Sequence, residues 1–465
     1  MNDQPDQVPP RVGPEAPESA AFDRGVWNTR VGFILAAVGS AVGLGNMWRF
    51  PYYTAENGGA AFVLLYILLT FAMGIPLLLA EMAVGRRTHL SPIGALRKVG
   101  GRGWVPFGFM FVIAGFLILA FYSVIAGWVT RYAFSVIVTG FPEDPGAHFT
   151  GIATGLDAIG YHLFFMALTV SIVMGGVEKG IERASLLLLP TLFALIIGLA
   201  VWGATLTGSG EGYAFYLTPD IDEIFSLDVF GAAAAQAAFS LSLGMGAILT
   251  FASYLSRDDS LPQEGVVIAF SDFGVAFVAG LVVFPVIFAL GLQGAVGEST
   301  VGALFIALPG AFDAMGGFVG RFVGGLFFLA LLIGALTSAI SLLEVVTSSV
   351  IDEFGWERKK AAVGMGTAIA VFGIWPALDL NALDAYDSFT GNVLLPLGAL
   401  AIALLVGWVM KNPIDELVKG SSERYRGLYK GWLWTLRVVA PVLLVVVLWN
   451  TIPVAVASIE NLLGL

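Results

Sequence analysis

Gly39, Gly43 and Gly45 fall in the middle of one long apolar run, and Asn46 follows them directly. A second apolar run carries Ser240-Leu-Ser-Leu-Gly-Met-Gly246. Glycine weakens a helix interior, so both runs predict helices that break partway along. A break exposes backbone groups that a continuous helix hides. Free carbonyls can coordinate a bare cation, and free N–H groups at a helix start can hold a carboxylate. A hard monovalent cation needs a cage made of oxygens. Asn46, Ser240, Ser242, Asp272, Thr337 and Ser338 supply such oxygens from four separate apolar runs. The chemistry on offer is therefore capture of an ion and a small carboxylate.

Each of these residues has a plainer reading. Close helix packing also enriches Gly and Ser. The matched placement of the two breaks, with polar residues beside both, favours a site. Asp272 sits in Val266-Val-Ile-Ala-Phe-Ser-Asp-Phe-Gly, where a carboxylate is expensive unless paired or ion-bound; a place near a helix end, reaching water, is the alternative. Thr337 and Ser338 can simply bond back to a carbonyl one turn earlier. Arg49 can pair with Asp387 across an outer vestibule, and Arg24 with Asp352 at the inner end, or each can face lipid headgroups. Cys is absent, which excludes disulfides and thiolate metal sites. His89, His148 and His162 are far apart without ligand spacing and read as solvated or interfacial. No catalytic dyad, metal cluster or phosphate loop points to an enzyme.

The elements that position these residues follow from composition. The chain of 465 residues is 57% hydrophobic and 12% charged, too little charge to cover a soluble surface of that size. Apolar runs long enough to cross a bilayer recur throughout, and without water such runs must be helical. About eleven spans are predicted, centred near Leu44, Ile67, Ile118, Leu168, Leu195, Leu241, Val278, Leu329, Ile369, Ala401 and Leu444. The stretch from Trp104 to Thr139 exceeds one crossing and should tilt or project. Residues 1–23, rich in Pro and acid, read as a disordered cytoplasmic tail. The transport domain is expected over 24–456, with repeats at about 28–206 and 228–410, an extra helix at about 431–456, and a short tail at 457–465. Lys and Arg gather in alternate loops, from Arg24 and Arg30 through Arg86, Arg97, Lys179, Arg257 and Arg358 to Lys430. That pattern places the N-terminus in the cytoplasm, and the plasma membrane is the expected location. The broken runs are the first and sixth spans. They lie five apart, and an odd repeat inserts its second copy upside down. The net charge of −11 loads acid into exposed loops, as suits high-salt surroundings.

Several long motifs, in order, resemble the neurotransmitter:sodium symporter family. They are Trp27-Asn-Thr-Arg-Val-Gly-Phe through Gly45-Asn-Met-Trp-Arg-Phe-Pro51, Ala55-Glu-Asn-Gly-Gly-Ala-Ala-Phe62, Ser240 to Tyr254, and Gly334-Ala-Leu-Thr-Ser338. Gly180 and Pro190 reproduce the family's glycine-nine-residues-proline motif. The resemblance implies an all-α polytopic membrane protein of the LeuT type: a 5+5 inverted repeat with about 11 transmembrane helices, the first and sixth unwound at the midplane. It implies two sodium ions. One site resembles Ala41 (carbonyl), Asn46, Ser240 and Asp272, completed by the substrate carboxylate. The other resembles Gly39, Val42 and Gly334 (carbonyls) with Thr337 and Ser338. The substrate carboxylate would meet the Gly43–Gly45 N–H groups and Tyr122, and the amine carbonyls of Ala41, Phe239 and Ser242. The side chain would face Ile118, Phe239, Ser242, Met245 and Leu342, beside Ser240 and Ser338. Arg49 with Asp387 resembles the outer gate, Arg24 with Asp352 the inner one, and Gly180 to Pro190 a stretch that unwinds.

Departures from the family pattern refine the expectation. Asp272 stands where many members carry Asn, and Ala276 where chloride-dependent members carry Ser. A fixed carboxylate can replace chloride, so chloride independence is expected. Gly43 stands where amine transporters carry Asp, so the substrate must bring its own carboxylate. The pocket residues are apolar and Met245 can repack. The expected activity is sodium-coupled import of a neutral hydrophobic L-amino acid, aromatic ones included, by alternating access. A non-transporting amino-acid sensor and a channel are the rivals; the first would need a signalling domain, and the second a symmetric pore. Nothing in the sequence points to an organic cofactor, a nucleic-acid partner or a particular oligomeric state.

Overall fold

The computed structural model describes residues 27–256, 258–291 and 303–464. The predicted tail 1–23, Arg24 of the expected inner gate, and Arg257 lie outside the described residues. Among the described residues the regular structure is helical.

The first span is split as its glycines predict. Helix α1 (Arg30–Ala41) and α2 (Gly45–Glu56) meet at a bend of 47°. Next come α3 (Ala60–Thr88), α4 (Arg102–Val138), α5 (Leu156–Val173) and α6 (Val177–Gly203). The sixth span is likewise two pieces, α7 (Leu227–Ser240) and α8 (Ala247–Ala252). Then follow α9 (Leu261–Ala289), α10 (Gly317–Phe354), α11 (Arg358–Leu378), α12 (Leu380–Val409) and α13 (Glu423–Leu463).

Nine of the described helices are long and apolar enough to cross a membrane, and the bent pair α1–α2 makes a tenth. The pieces α7 and α8, of 14 and 6 residues, are each too short to count alone. They occupy the place of the predicted sixth span, and taking them as one crossing gives the eleven read from sequence. Helix α4 runs 37 residues, so the overlong third stretch is one continuous helix.

Helix α10 lies at the centre, packed along α4 and also touching α1, α5 and α6. The middle of α10 is buried without a break from Ile333 to Ile351. It is therefore surrounded by protein, and its small and hydroxyl residues can face neighbours instead of lipid. Helix α13 is mostly exposed along its length, as a helix bordering lipid would be. His162 departs from the expectation of a solvated residue. It is fully buried, with Nδ1 2.9 Å from the Ser123 hydroxyl and Nε2 2.9 Å from the Ala370 carbonyl. It ties α5 to α4 and α11, and a buried imidazole needs partners of this kind.

Candidate substrate and ion site

The break in the first span is Val42, Gly43 and Leu44, where the helical ladder lapses between α1 and α2. Its loose polar groups find partners on other elements. The Gly43 N–H donates to Asn46 Oδ1 at 3.1 Å, and the Leu44 N–H to the Tyr122 hydroxyl at 3.3 Å. The Ser338 hydroxyl, from α10, lies 3.3 Å from the Gly39 and Ser40 carbonyls and 3.5 Å from that of Val42. A Cβ on Gly43 would fall 2.4 Å from Ser338 Oγ and 3.0 Å from Tyr122 OH. Only glycine lets those hydroxyls reach the backbone here.

The break in the sixth span, Leu241 to Gly246, is built differently. Ser242, Gly244 and Gly246 all have positive φ, near +54°, +81° and +73°. Such φ values suit glycine and strain serine. Ser242 is held by its own hydroxyl, which donates to the Ser40 carbonyl at 2.9 Å. The free N–H groups of Gly244 and Leu249 donate to the carboxylate of Glu81, on α3, at 2.8 and 3.3 Å. Glu81 is 1% exposed.

Between the breaks lies a small cavity of about 40 Å³. Ala41, Gly43, Gly45, Ile118, Tyr122, Phe239, Ser240, Ser242, Met245, Ser338 and Leu342 line it, the full substrate set expected from sequence. Leu44, within the expected Gly43–Gly45 stretch, lines it as well, and so do Ser40 and Ser341, which were not anticipated. Ile118, Phe239, Met245 and Leu342 give it apolar surface, and the rest of the lining is mostly backbone and hydroxyl. Such a lining suits a small amphiphile with one polar end.

Beside the cavity, three of the four residues expected at the first ion site are joined. Asp272 Oδ1 takes a hydrogen bond from Asn46 Nδ2 at 2.7 Å, and Oδ2 takes one from the Ser240 hydroxyl at 2.7 Å. Asp272 is fully buried, so it is not a helix-end carboxylate reaching water. Ala41 lines the same cavity as Ser240. Tyr66, absent from the sequence expectation, donates to Ser240 Oγ at 3.1 Å and to Asp272 Oδ2 at 3.4 Å. Its only signal was a hydroxyl in the apolar run Phe62-Val-Leu-Leu-Tyr-Ile. Glu81 was also missed, although a lone carboxylate in an apolar run is the argument that singled out Asp272.

The residues of the second ion set also converge. The Thr337 hydroxyl bonds back to its own turn, to the Ile333 carbonyl at 3.2 Å and that of Gly334 at 3.0 Å, as its plainer reading allowed, while its Cβ lies 3.0 Å from where a Cβ of Gly39 would stand. With the Ser338 contacts to Gly39 and Val42, all five lie together at the seam of α1 and α10.

Above Phe239 opens a second cavity of about 310 Å³, lined by Trp48, Arg49, Tyr53, Asp384, Asp387 and others. Both cavities share Leu44, Gly45, Tyr122 and Phe239, so that layer separates them. Arg49 Nη1 stands 3.8 Å from Asp387 Oδ1, and its guanidinium lies 4.3 Å over the Phe239 ring. The expected outer pair is therefore brought together. Of the expected inner pair only Asp352 is described; it accepts from the Ser91 N–H at 2.7 Å. Gly180 falls in a π-helical turn, 177–182, and Pro190 inside α6, where it leaves a gap in the backbone ladder.

A cavity between two broken helices, flanked by a buried carboxylate and converging hydroxyls, marks a membrane carrier. The chain belongs to the sodium:neurotransmitter symporter family, whose model matches residues 24–151 and 147–461. It is a sodium-dependent, multi-pass membrane transporter and not an enzyme. It is 35% identical to the sodium-dependent transporter YhdH of Bacillus subtilis, over 92% of this chain and 97% of that one. It is 31% identical to the sodium-dependent neutral amino acid transporter B(0)AT2 of Bos taurus, over 57% of this chain and 41% of that one. The crystal structure of MhsT in complex with L-phenylalanine matches with a TM-score of 0.83 at 40% identity, covering 92% of this chain and 100% of MhsT. That likeness establishes the LeuT-type fold.

Proposed function

We propose that the protein imports a neutral hydrophobic L-amino acid, aromatic ones included, together with two sodium ions and without chloride. The observation that carries this is the cavity itself, which combines apolar side chains with hydroxyls and the interrupted backbone of the first span. The complex of MhsT with L-phenylalanine supports the substrate class.

Tyr122 and the N–H groups of Gly43 to Gly45 hold the substrate carboxylate. Carbonyls of Ala41, Phe239 and Ser242 hold its amine. At present Asn46 Oδ1 occupies the Gly43 N–H. A substrate carboxylate that takes over this N–H frees the Asn46 oxygen for the first sodium, beside Ala41, Ser240 and Asp272. Substrate and ion therefore each improve the other's site, which is reciprocal coupling. The second sodium takes Gly39, Val42, Gly334, Thr337 and Ser338. The buried Asp272 carboxylate supplies the fixed negative charge that makes chloride unnecessary. The N-terminus lies in the cytoplasm and the chain in the plasma membrane. Arg49 with Asp387 closes the outer side, and unwinding between Gly180 and Pro190 opens the inner one.

The test is binding of an amino-acid panel to purified protein in sodium and in potassium, followed by uptake into liposomes with chloride replaced by gluconate. Leu, Phe and Trp should bind only in sodium, and uptake should survive gluconate. Asp272→Asn and Thr337→Val should each raise the sodium needed by about tenfold, the size of one lost charge-assisted contact. Charged amino acids outcompeting Phe, or uptake that collapses in gluconate, would refute the reading.

A further inference from the structure

The inner end of α1 is gripped by acidic side chains that the reading above does not use. Glu182, 2% exposed, is the last residue of the π-helical turn 177–182 that leads into α6. Its Oε2 accepts from the Asn28 N–H at 2.8 Å, and its Oε1 accepts from the Thr29 N–H at 3.0 Å and the Thr29 hydroxyl at 2.7 Å. Thr29 in turn caps α1, accepting from the Gly32 N–H at 2.9 Å. The carboxylate thus meets the helix start where N–H groups lack helical partners and where the helix dipole favours negative charge. Gly32 makes room for it, since a Cβ there would lie 2.2 Å from Glu182 Oε1. Two further contacts hold the same end. The Trp27 indole donates to the Phe251 carbonyl of α8 at 2.9 Å, and Arg30 bonds Glu264 of α9.

The turn that bears Glu182 is the weak point of its helix. It starts after Gly176, at φ +89°, and its Gly180 packs so closely that a Cβ would meet the Ile172 carbonyl at 2.0 Å. We propose that Glu182 clasps the inner end of α1 to this turn, so that unwinding the turn and releasing α1 are one event. This rests on the alternating-access reading and deepens it. The inner side then opens through a single concerted step: the segment that must unwind carries the acid that holds the helix that must swing.

Hydrogen exchange followed by mass spectrometry on the full chain tests this directly, because the clasped groups are backbone amides. In wild type, moving from sodium with L-phenylalanine to potassium should speed exchange over 27–33 and over 177–183 by the same factor. In Glu182→Ala, exchange over 27–33 should rise about tenfold already in sodium, the worth of two amides lost to a buried carboxylate. The 177–183 segment should keep its sodium response. Arg30→Ala, which leaves the turn untouched, should raise exchange over 27–33 about two- to threefold, as a half-exposed ion pair allows. Gly32→Ala reaches the same end by displacing the carboxylate, and it decides the matter should Glu182→Ala fail to fold. Unchanged exchange over 27–33 in these two variants overturns the clasp. So do wild-type segments that respond to sodium by clearly different factors. If neither wild-type segment responds to sodium, it is the sodium-coupled cycle that fails, and the clasp is then judged on the variants alone.

Discussion

The two breaks at the centre of the molecule look alike in sequence and are stabilised in opposite ways. At Val42–Leu44 the exposed groups rest on neutral partners: an amide oxygen, a phenol and a serine hydroxyl, at 3.1 to 3.5 Å. At Leu241–Gly246 the Gly244 N–H rests on the buried carboxylate of Glu81 at 2.8 Å, which also takes the Leu249 N–H from the first turn of α8. A neutral contact of this length contributes about 1 kcal/mol and can be exchanged for an ion or a ligand carboxylate. A buried charge-assisted contact is roughly twice as strong and not easily surrendered. On the proposed reading the first break is a binding surface with its contacts on loan, and the second is a fixed support for the cavity lining.

Three substitutions separate these roles. Gly43→Ala should do the most damage to binding. Its Cβ would collide with Ser338 Oγ and crowd Tyr122, and overpacking of about 1–3 kcal/mol corresponds to roughly ten- to a hundredfold weaker substrate affinity. Equilibrium binding in sodium measures it, and an unchanged affinity would break the comparison. Glu81→Gln should act the other way round. It keeps one donor–acceptor contact, loses the charge, and should destabilise by about 1–3 kcal/mol. A thermal-shift assay should show a lower Tm, while the folded fraction binds substrate within about twofold of wild type; a large loss of affinity at unchanged Tm would make this break a binding element too. Ser242→Gly should have the smallest effect. It relieves the positive φ but deletes the 2.9 Å bond to Ser40, two terms of about 1 kcal/mol and opposite sign. Affinity and Tm should both stay close to wild type.

The outer and inner ends differ in the same spirit. Outside, Arg49 and Asp387 face each other across 3.8 Å beside an open vestibule. Inside, Glu182 makes three hydrogen bonds, all of 3.0 Å or less, to one helix start. In the proposed orientation the first is the outer closure, loose, and the second the inner one, tight, the asymmetry that loading from outside would require.

Much of this was written in the chain itself. Apolar runs of bilayer length dictate helices, because nothing else satisfies backbone groups in lipid. Glycines at 39, 43 and 45 and at 244 and 246 dictate breaks, and their matched placement dictates a shared site. Asp272 announced itself because an unpaired carboxylate cannot sit in an apolar run without a reason. Tertiary structure alone decided which partners those groups take. Tyr66, Glu81 and Glu182 act across 174, 163 and 154 residues of sequence, distances over which no local pattern carries information. His162 looked solvated because a lone histidine has no spacing to read, yet the fold buries it between a serine hydroxyl and a backbone carbonyl. Periodicity and composition report what a segment must do in a bilayer. Which carboxylate caps which broken helix is settled only when the helices pack.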